Sequence, residues 1–420
     1  MIVTGADDCG PIGVVGQGFV DWGGGLDFLR LILDGLLGGQ QTRPVVLLLP
    51  RPGPRSRARS LARSGWRALQ SVRRGHWRGL AELLRRSAVE TGGYFADYGT
   101  RIAIRTYEDS RNGLARVCAT EGVDGLVPIC GSLGGRFALP WVGYIYDFQH
   151  RHLPRHFTAA ERTRRDRWFL EVLTDAPVIV ANARAVLIDV EAYFPGHAHK
   201  VRVLPFAPRT RAEWLESSPL EVAARFGIAS SYFIVCNQFW LHKDHDTAIR
   251  GFSAYLAASD DSERVLVCTG DMTDAREPGY AARLQRTVVA LGLGDRVHFL
   301  GRIAKGDQMA LVRGADALIQ STLFEGGPGG GASYDAIAVG TPVIASDIPV
   351  NLEMDCGDVR FFAAGDASAL AGRLAELVAL PPARPSAEAL IRQTAERSVA
   401  LCEALLAALH DAGNAGQRAL

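Results

Sequence analysis

From one end of the chain to the other, short apolar runs alternate with amphipathic stretches long enough to form helices. Few folds accommodate that alternation. Continuously apolar runs read as strands covered on both faces and the stretches between them as the covering helices, which together make parallel sheets of the doubly wound α/β kind. Strand-length runs stand at 44–49, 101–105, 125–129, 142–146, 177–181 and 201–204, and then at 232–237, 264–269, 297–300, 317–320, 342–345 and 359–362. The segment 205–219 carries Pro205, Pro208 and Pro219 and interrupts the pattern, so it reads as the connection between two units. The expected division is 1–206 and 220–394, with a last run of helical apolar spacing over 387–409. At 420 residues the chain has surface enough to bury two cores.

Hydrophobic content of 48% and charged content of 22% are those of a soluble globular protein, and 46 basic against 45 acidic side chains leave no net field for nucleic acid. No apolar run approaches the roughly 18 residues of a membrane span. The first residues lack the basic and apolar regions of a secretory signal. Seven cysteines without a C-x-x-C pair fit reduced thiols in a cytoplasmic protein better than a disulfide frame or a zinc site. The charge is uneven, however. Eleven arginines stand between Arg51 and Arg86 against one acid, Glu82, with Trp66 and Trp77 among them. Two readings stay open: a basic helix lying on an anionic membrane surface at the inner membrane face, and a solvated basic face packed down by its leucines. No nucleic-acid-binding motif accompanies the stretch.

The densest chemistry lies in LFEGGPGGGASYDAIAVGTPVIASDIPVNLE, residues 323–353. Glu325 precedes five glycines broken only by Pro328, a helix-like segment carries Asp335, and Gly340-Thr341-Pro342 leads into an apolar strand. Glycines let backbone N–H groups approach a ligand closely, and a helix N-terminus adds unpaired N–H groups and a dipole that favour phosphate. Carboxylates suit sugar hydroxyls. A segment offering both reads as a nucleotide-sugar pocket; the plainer alternative is a glycine-rich connection with incidental acids.

This segment resembles the donor-binding motif of retaining GT-B glycosyltransferases of family 4, in which the second of two acids lies five positions before the Gly of a Gly-Thr-Pro-type turn. Five before Gly340 is Asp335. Relative to that pattern the acids are ten apart where the family has eight, Asp replaces the second Glu, and Ser333 holds the eighth position. Three other segments extend the resemblance. Gly23, Gly24 and Gly25, just ahead of an amphipathic helix, match the loop that closes over the donor phosphates. CNQFWLHKDHDT, residues 236–247, carries Lys243 where the family has its Lys, but Gln238 five positions earlier where the family has Arg. Gln can hydrogen-bond a phosphate but cannot pair with it ionically. In YIYDFQHRH, residues 144–152, Asp147 follows a strand, and His150 stands three residues on as the candidate for the family's His beside the transferred sugar. Taken one at a time, Lys243 also reads as a solvated helix-start lysine and His150 as a structural histidine. His150 and His152 lack an identifiable third metal ligand.

The resemblance implies a GT-B fold: two Rossmann-like doubly wound domains around a cleft, the first for the acceptor, the second for the donor, and a last helix, about 395–420, packing back on the first. It implies transfer of a hexosyl or deoxyhexosyl group from a nucleoside diphosphate sugar to an acceptor hydroxyl with retention, in bacterial surface polysaccharide assembly of the O-antigen type, on a glycan or lipid-linked acceptor. Glu325 would hold sugar hydroxyls and Asp335 the ribose diol. Lys243 and Gln238 would meet the diphosphate with Gly23–Gly25 closing over it, Gly329, Gly330, Gly331 and Ser333 would belong to the donor site, and Asp147 and His150 would face the reacting sugar. No metal and no cofactor beyond the co-substrate is implied. A nucleotide-sugar epimerase and a non-catalytic nucleotide-sugar-binding partner are the alternatives.

Overall fold

The computed structural model describes residues 9–20, 23–51, 93–274 and 276–418. In chain order the first unit contains β1 (Ile12–Val15), α1 (Gly23–Gly38), β2 (Val45–Arg51), β3 (Ala103–Glu108), α2 (Arg111–Glu121), β4 (Gly125–Ile129), β5 (Trp141–Tyr144), α3 (Ala159–Asp175), β6 (Val178–Ala181), α4 (Arg184–Tyr193) and β7 (Val201–Val203). Its strands form one parallel sheet in the order β3-β2-β1-β4-β5-β6-β7. The second contains α5 (Pro219–Arg225), β8 (Tyr232–Cys236), α6 (His245–Ala257), β9 (Val265–Thr269), α7 (Tyr280–Ala290), β10 (Val297–Gly301), α8 (Lys305–Gly314), β11 (Ala317–Gln320), α9 (Gly330–Ala338), β12 (Val343–Ser346), β13 (Val359–Phe362) and α10 (Ala367–Ala379), followed by α11 (Ala387–Arg418). Its sheet is also parallel, in the order β10-β9-β8-β11-β12-β13. The order reverses between β1 and β4 and between β8 and β11. At such points the connections leave on opposite faces and open a crevice at the strands' carboxyl ends.

The twelve runs read as strands are strands, within a few residues at their ends. The reading missed β1, an interior strand of the first sheet between β2 and β4. Ile12–Val15 is four residues long with Gly13 inside it, too short and too rich in glycine to stand out from a loop. Gly13 has a reason: a Cβ there would sit 2.6 Å from Leu126 Cδ2 on the neighbouring strand. Each sheet is buried on both faces. Leu47 and Leu49 of β2 enter one core cluster with Leu29, Ile32 and Leu33 of α1, while Val46 and Leu48 enter the other with Leu114 of α2.

The last helix ties the two units. It begins beside the second, where Leu390 lies near Gly340, and Arg397 donates to the Phe206 carbonyl and to Asp355 Oδ1. It then runs onto the first, burying Leu401, Leu405, Ala408 and Ala412 against α1. Gly35 permits that approach, since a Cβ there would meet Leu401 Cδ2 at 2.7 Å. The connecting segment is pinned as well. Arg209 and Arg211 reach Asp34 and Asp97 of the first unit, and Thr210 donates through Oγ1 to the Ala338 carbonyl at 2.7 Å. All seven cysteines are free. Among the described residues no helix is long and apolar enough to cross a membrane. Apart from Arg51, the basic stretch from Arg51 to Arg86 lies outside the described residues.

Candidate active site

The loops leaving the carboxyl ends of the two sheets meet one another, and three contacts fix how. Gly326 lies so close to the other unit that a Cβ would stand 2.6 Å from the Tyr146 carbonyl oxygen and 3.1 Å from Asp147 Cβ. Glu353 accepts from the backbone N–H groups of Arg184 and Ala185 at 2.6 and 2.7 Å, so a carboxylate of the second unit caps the positive end of α4 in the first. The Gln149 side-chain amide donates to His242 Nε2 at 3.2 Å. Because an amide nitrogen can only donate, His242 accepts there and is the neutral tautomer protonated on Nδ1. Burial first, then Lys243, His156 and Arg276, bring its pKa down from 6.5 to about 3.

Glu325 sits at the middle of this junction. Lys243 Nζ stands 2.5 Å from Glu325 Oε1, and both side chains are nearly buried. Gln320, the last residue of β11 and fully buried, donates from Nε2 to the same Oε1 at 2.9 Å and to the Gly329 carbonyl at 2.7 Å, while its Oε1 accepts from Asn237 Nδ2 at 2.6 Å. One amide therefore links the ends of β8 and β11, the carboxylate and the glycine turn. In that turn Gly329 and Gly330 have φ of +64° and +60°, and Gly330 lies under the carboxylate, where a Cβ would be 2.7 Å from Glu325 Cδ. The turn opens α9, whose first N–H groups have no partner within the helix. Gly331 has open space at its Cα. Ser333 departs from expectation: it is fully buried, its Oγ lies beneath the Gly329 turn without a hydrogen-bond partner, and it offers no surface to a ligand.

Asp335, farther along α9, pairs with Lys305 Nζ at 2.5 Å and lies 3.4 Å from Gln308 Nε2, both on α8. Burial raises its pKa, with Lys305 opposing and Asp27 of α1 adding. The same Asp27 also raises Lys305 against the effect of burial, so the start of α1 and the Asp335 pair share one electrostatic neighbourhood across the two units. Gly23, Gly24 and Gly25 form the first turn of α1, where a loop ahead of the helix was expected. Gln238 is exposed, on the segment after β8.

Asp147 and His150 part company. Asp147 follows β5 and faces Gly326; burial raises its pKa, the Gln149 N–H and Arg165 lower it, and the Glu325 charge raises it further. His150 is fully buried, ringed by Phe148, Phe157 and Phe169, with Nε2 held 2.8 Å from Asp166 Oδ1. That environment gives it no access to a sugar, which corrects its assignment as a catalytic candidate. His152 Nε2 goes to a different acid, Asp189, at 2.8 Å, and its ring lies 5.4 Å from that of Phe324. The two histidines therefore do not form a metal pair. Gln149, Gln320 and Lys305 contact the candidate residues and carry no signal in the sequence.

Residues 228–397 match the family described as Glycosyl transferases group 1, so the second unit is a domain of that group. Mannosylfructose-phosphate synthase of Agrobacterium fabrum is 29% identical over 125 residues, 30% of this chain and 27% of that protein. The O-antigen chain mannosyltransferase RfbU of Salmonella typhimurium is 35% identical over 120 residues, 29% of this chain and 31% of that one. The match thus spans less than a third of either relative. Among solved structures, Anabaena HepE in complex with UDP and glucose superposes with a TM-score of 0.59 at 15% identity, covering 97% of both chains. Sucrose-phosphate synthase of Thermosynechococcus elongatus superposes at 0.60 and 15%, covering 96% of this chain and 98% of that one. At that identity the likeness speaks to the fold, and the fold is GT-B.

Proposed function

We propose that this chain is a nucleotide-sugar-dependent glycosyltransferase that moves a hexosyl or deoxyhexosyl group to an acceptor hydroxyl with retention of configuration. The observation that carries the reading is Glu325, held by Lys243 and Gln320 above the glycine turn that opens α9. In the reaction the bond from the sugar's anomeric carbon to the diphosphate oxygen breaks, a bond to the acceptor oxygen forms, and the acceptor's proton passes to the departing diphosphate. Negative charge grows on the diphosphate. Lys243 and the N-terminal turns of α9 and α1 are the groups suited to receive it, because preorganised donors act strongly in a site closed to water. No metal is required in this scheme. Glu325 then accepts from sugar hydroxyls, Asp335 from the ribose diol, and Asp147 lies on the acceptor side. The names of the two sequence relatives make a mannosyl group the first donor to try and surface polysaccharide assembly, at the cytoplasmic face of the membrane, the first setting.

The test is a thermal-shift panel of UDP-, GDP-, TDP- and CDP-sugars on the full chain, followed by donor hydrolysis and transfer assays with the stabilising donor. Stabilisation by one donor together with turnover supports the proposal. Binding without turnover favours the inert-partner reading, for which the exposed Gln238 and the buried His150 speak; conversion of the free donor without an acceptor favours an epimerase. No response to any of the four overturns the donor assignment.

A further inference from the structure

A cavity of about 530 Å³ lies on the outer face of the first unit, between α2 and the segment that joins β4 to β5. Its walls are apolar along most of their length, with Val123, Leu133, Phe137 and Leu139 among them. Polarity is concentrated at one end. Arg111, the first residue of α2, is exposed and borders the cavity with Arg136. Neither forms an ion pair with an acid among the described residues. A Cβ built on Gly134, which has φ of +82°, would lie 3.0 Å from Arg111 Nη1, so the guanidinium covers the glycine turn.

Topology orients this cavity. Arg111 follows the carboxyl end of β3, and Gly134 follows the carboxyl end of β4, so the arginine end points to the side where Asp147 and Glu325 meet. Val123 and Leu139 lie at the opposite end, next to the starts of β4 and β5. The cavity therefore runs the length of α2, which for 11 residues is about 16 Å. Ala115 and Ala119 border it from exposed positions on the helix. An apolar channel of this size, with two guanidinium groups at one end that have no acid partner among the described residues, matches an amphiphile with one anionic head, because arginine recognises phosphate through charge-assisted bonds and the walls reward an alkyl chain.

We propose that this cavity binds a single prenyl or alkyl chain ending in a phosphate, chain along α2 and phosphate at Arg111 and Arg136. Its identification as the lipid-linked acceptor's site rests on the transferase reading, because the head end faces the cleft; its identification as a binding site does not.

The probe is geranyl monophosphate, titrated calorimetrically into the full chain, with geraniol and inorganic phosphate as controls. Saturable binding of the monophosphate, with neither control binding comparably, is expected. Ala119→Phe should fill the channel and abolish binding. Arg111→Ser with Arg136→Ser should weaken it by about tenfold or more, as charged phosphate contacts are lost. The thermal response to the stabilising nucleotide sugar serves as the fold control and should be unchanged in both variants. Equal binding of geraniol or free phosphate, or undiminished binding to Ala119→Phe, overturns the proposal. A chain that binds geranyl monophosphate yet responds to no nucleotide sugar would keep the groove and remove the transferase reading.

Discussion

Lys243 Nζ and Glu325 Oε1 stand 2.5 Å apart with both side chains nearly out of solvent, so neither charge can be removed without exposing the other's cost. Breaking a buried pair from one side typically costs about 3–5 kcal/mol, because an uncompensated charge remains. Lys243→Met should therefore destabilise the chain more than Lys243→Met combined with Glu325→Gln, despite removing fewer charges. Denaturant midpoints of the two variants check this. Catalytically, Lys243→Met should lower turnover by about a hundredfold or more if the lysine answers charge on the departing diphosphate. With Gln238, which carries no charge, five positions before it, the lysine has little support, so Gln238→Arg should preserve or raise donor affinity.

Gln320 serves Glu325 by position alone. Its amide holds the carboxylate, the Gly329 carbonyl and Asn237 at once, from a fully buried site. Gln320→Leu fits the volume but leaves those partners unsatisfied, at about 1–3 kcal/mol each where burial persists. The expected result is a large fall in kcat with a smaller change in nucleotide affinity. Equal loss of both would place Gln320 in nucleotide binding instead.

Glu325 and Asp335 should separate cleanly when tested. Glu325→Ala is expected to abolish transfer and leave nucleotide binding largely intact. Asp335→Ala should weaken nucleotide binding by about 1–3 kcal/mol, the usual cost of losing a charged hydrogen-bond partner. Asp335 is already paired with Lys305 and Gln308, so its replacement also frees Lys305. Calorimetry with the nucleoside diphosphate alone decides the matter, and equal losses in both variants would refute the division of labour.

The fold was legible because its signal is periodic: apolar runs buried on both faces can hardly be anything but covered parallel strands. β1 escaped because four residues with a glycine carry no period. The acids of the glycine-rich segment were legible for a different reason, since charged residues beside glycines are conspicuous. Gln320 was not, as it ends an apolar strand and its importance comes from three partners brought in by β8, the Glu325 loop and the glycine turn. His150 shows the limit most plainly. In a helical turn successive residues point about 100° apart, so Gln149 reaches His242 across the junction while His150, one step on, enters the core among Phe148, Phe157 and Phe169. Spacing in the sequence cannot resolve that single step.

The Gln149–His242 contact makes the junction sensitive to acid. In the folded chain the His242 pKa falls from 6.5 to about 3, burial first and the nearby Lys243 next. Between those values the unfolded chain binds a proton that the folded chain refuses. The stability contributed by neutral His242 is thus fully present above about pH 6.5 and is lost progressively as pH falls toward 3. Protonated His242 could no longer accept from Gln149, so its loss falls on the contact between the two units. His150 and His245, likewise lowered by burial, should contribute to the same decline. His242→Gln keeps a side chain able to meet Gln149 and removes one titration. Its unfolding temperature should therefore drop less than that of the unsubstituted chain between pH 7 and pH 5, with a similar value at pH 7; the difference grows by about 1.4 kcal/mol for each pH unit traversed below 6.5. Parallel declines in the two proteins would show that His242 takes up its proton alike in the folded and the unfolded chain and that the acid sensitivity lies elsewhere.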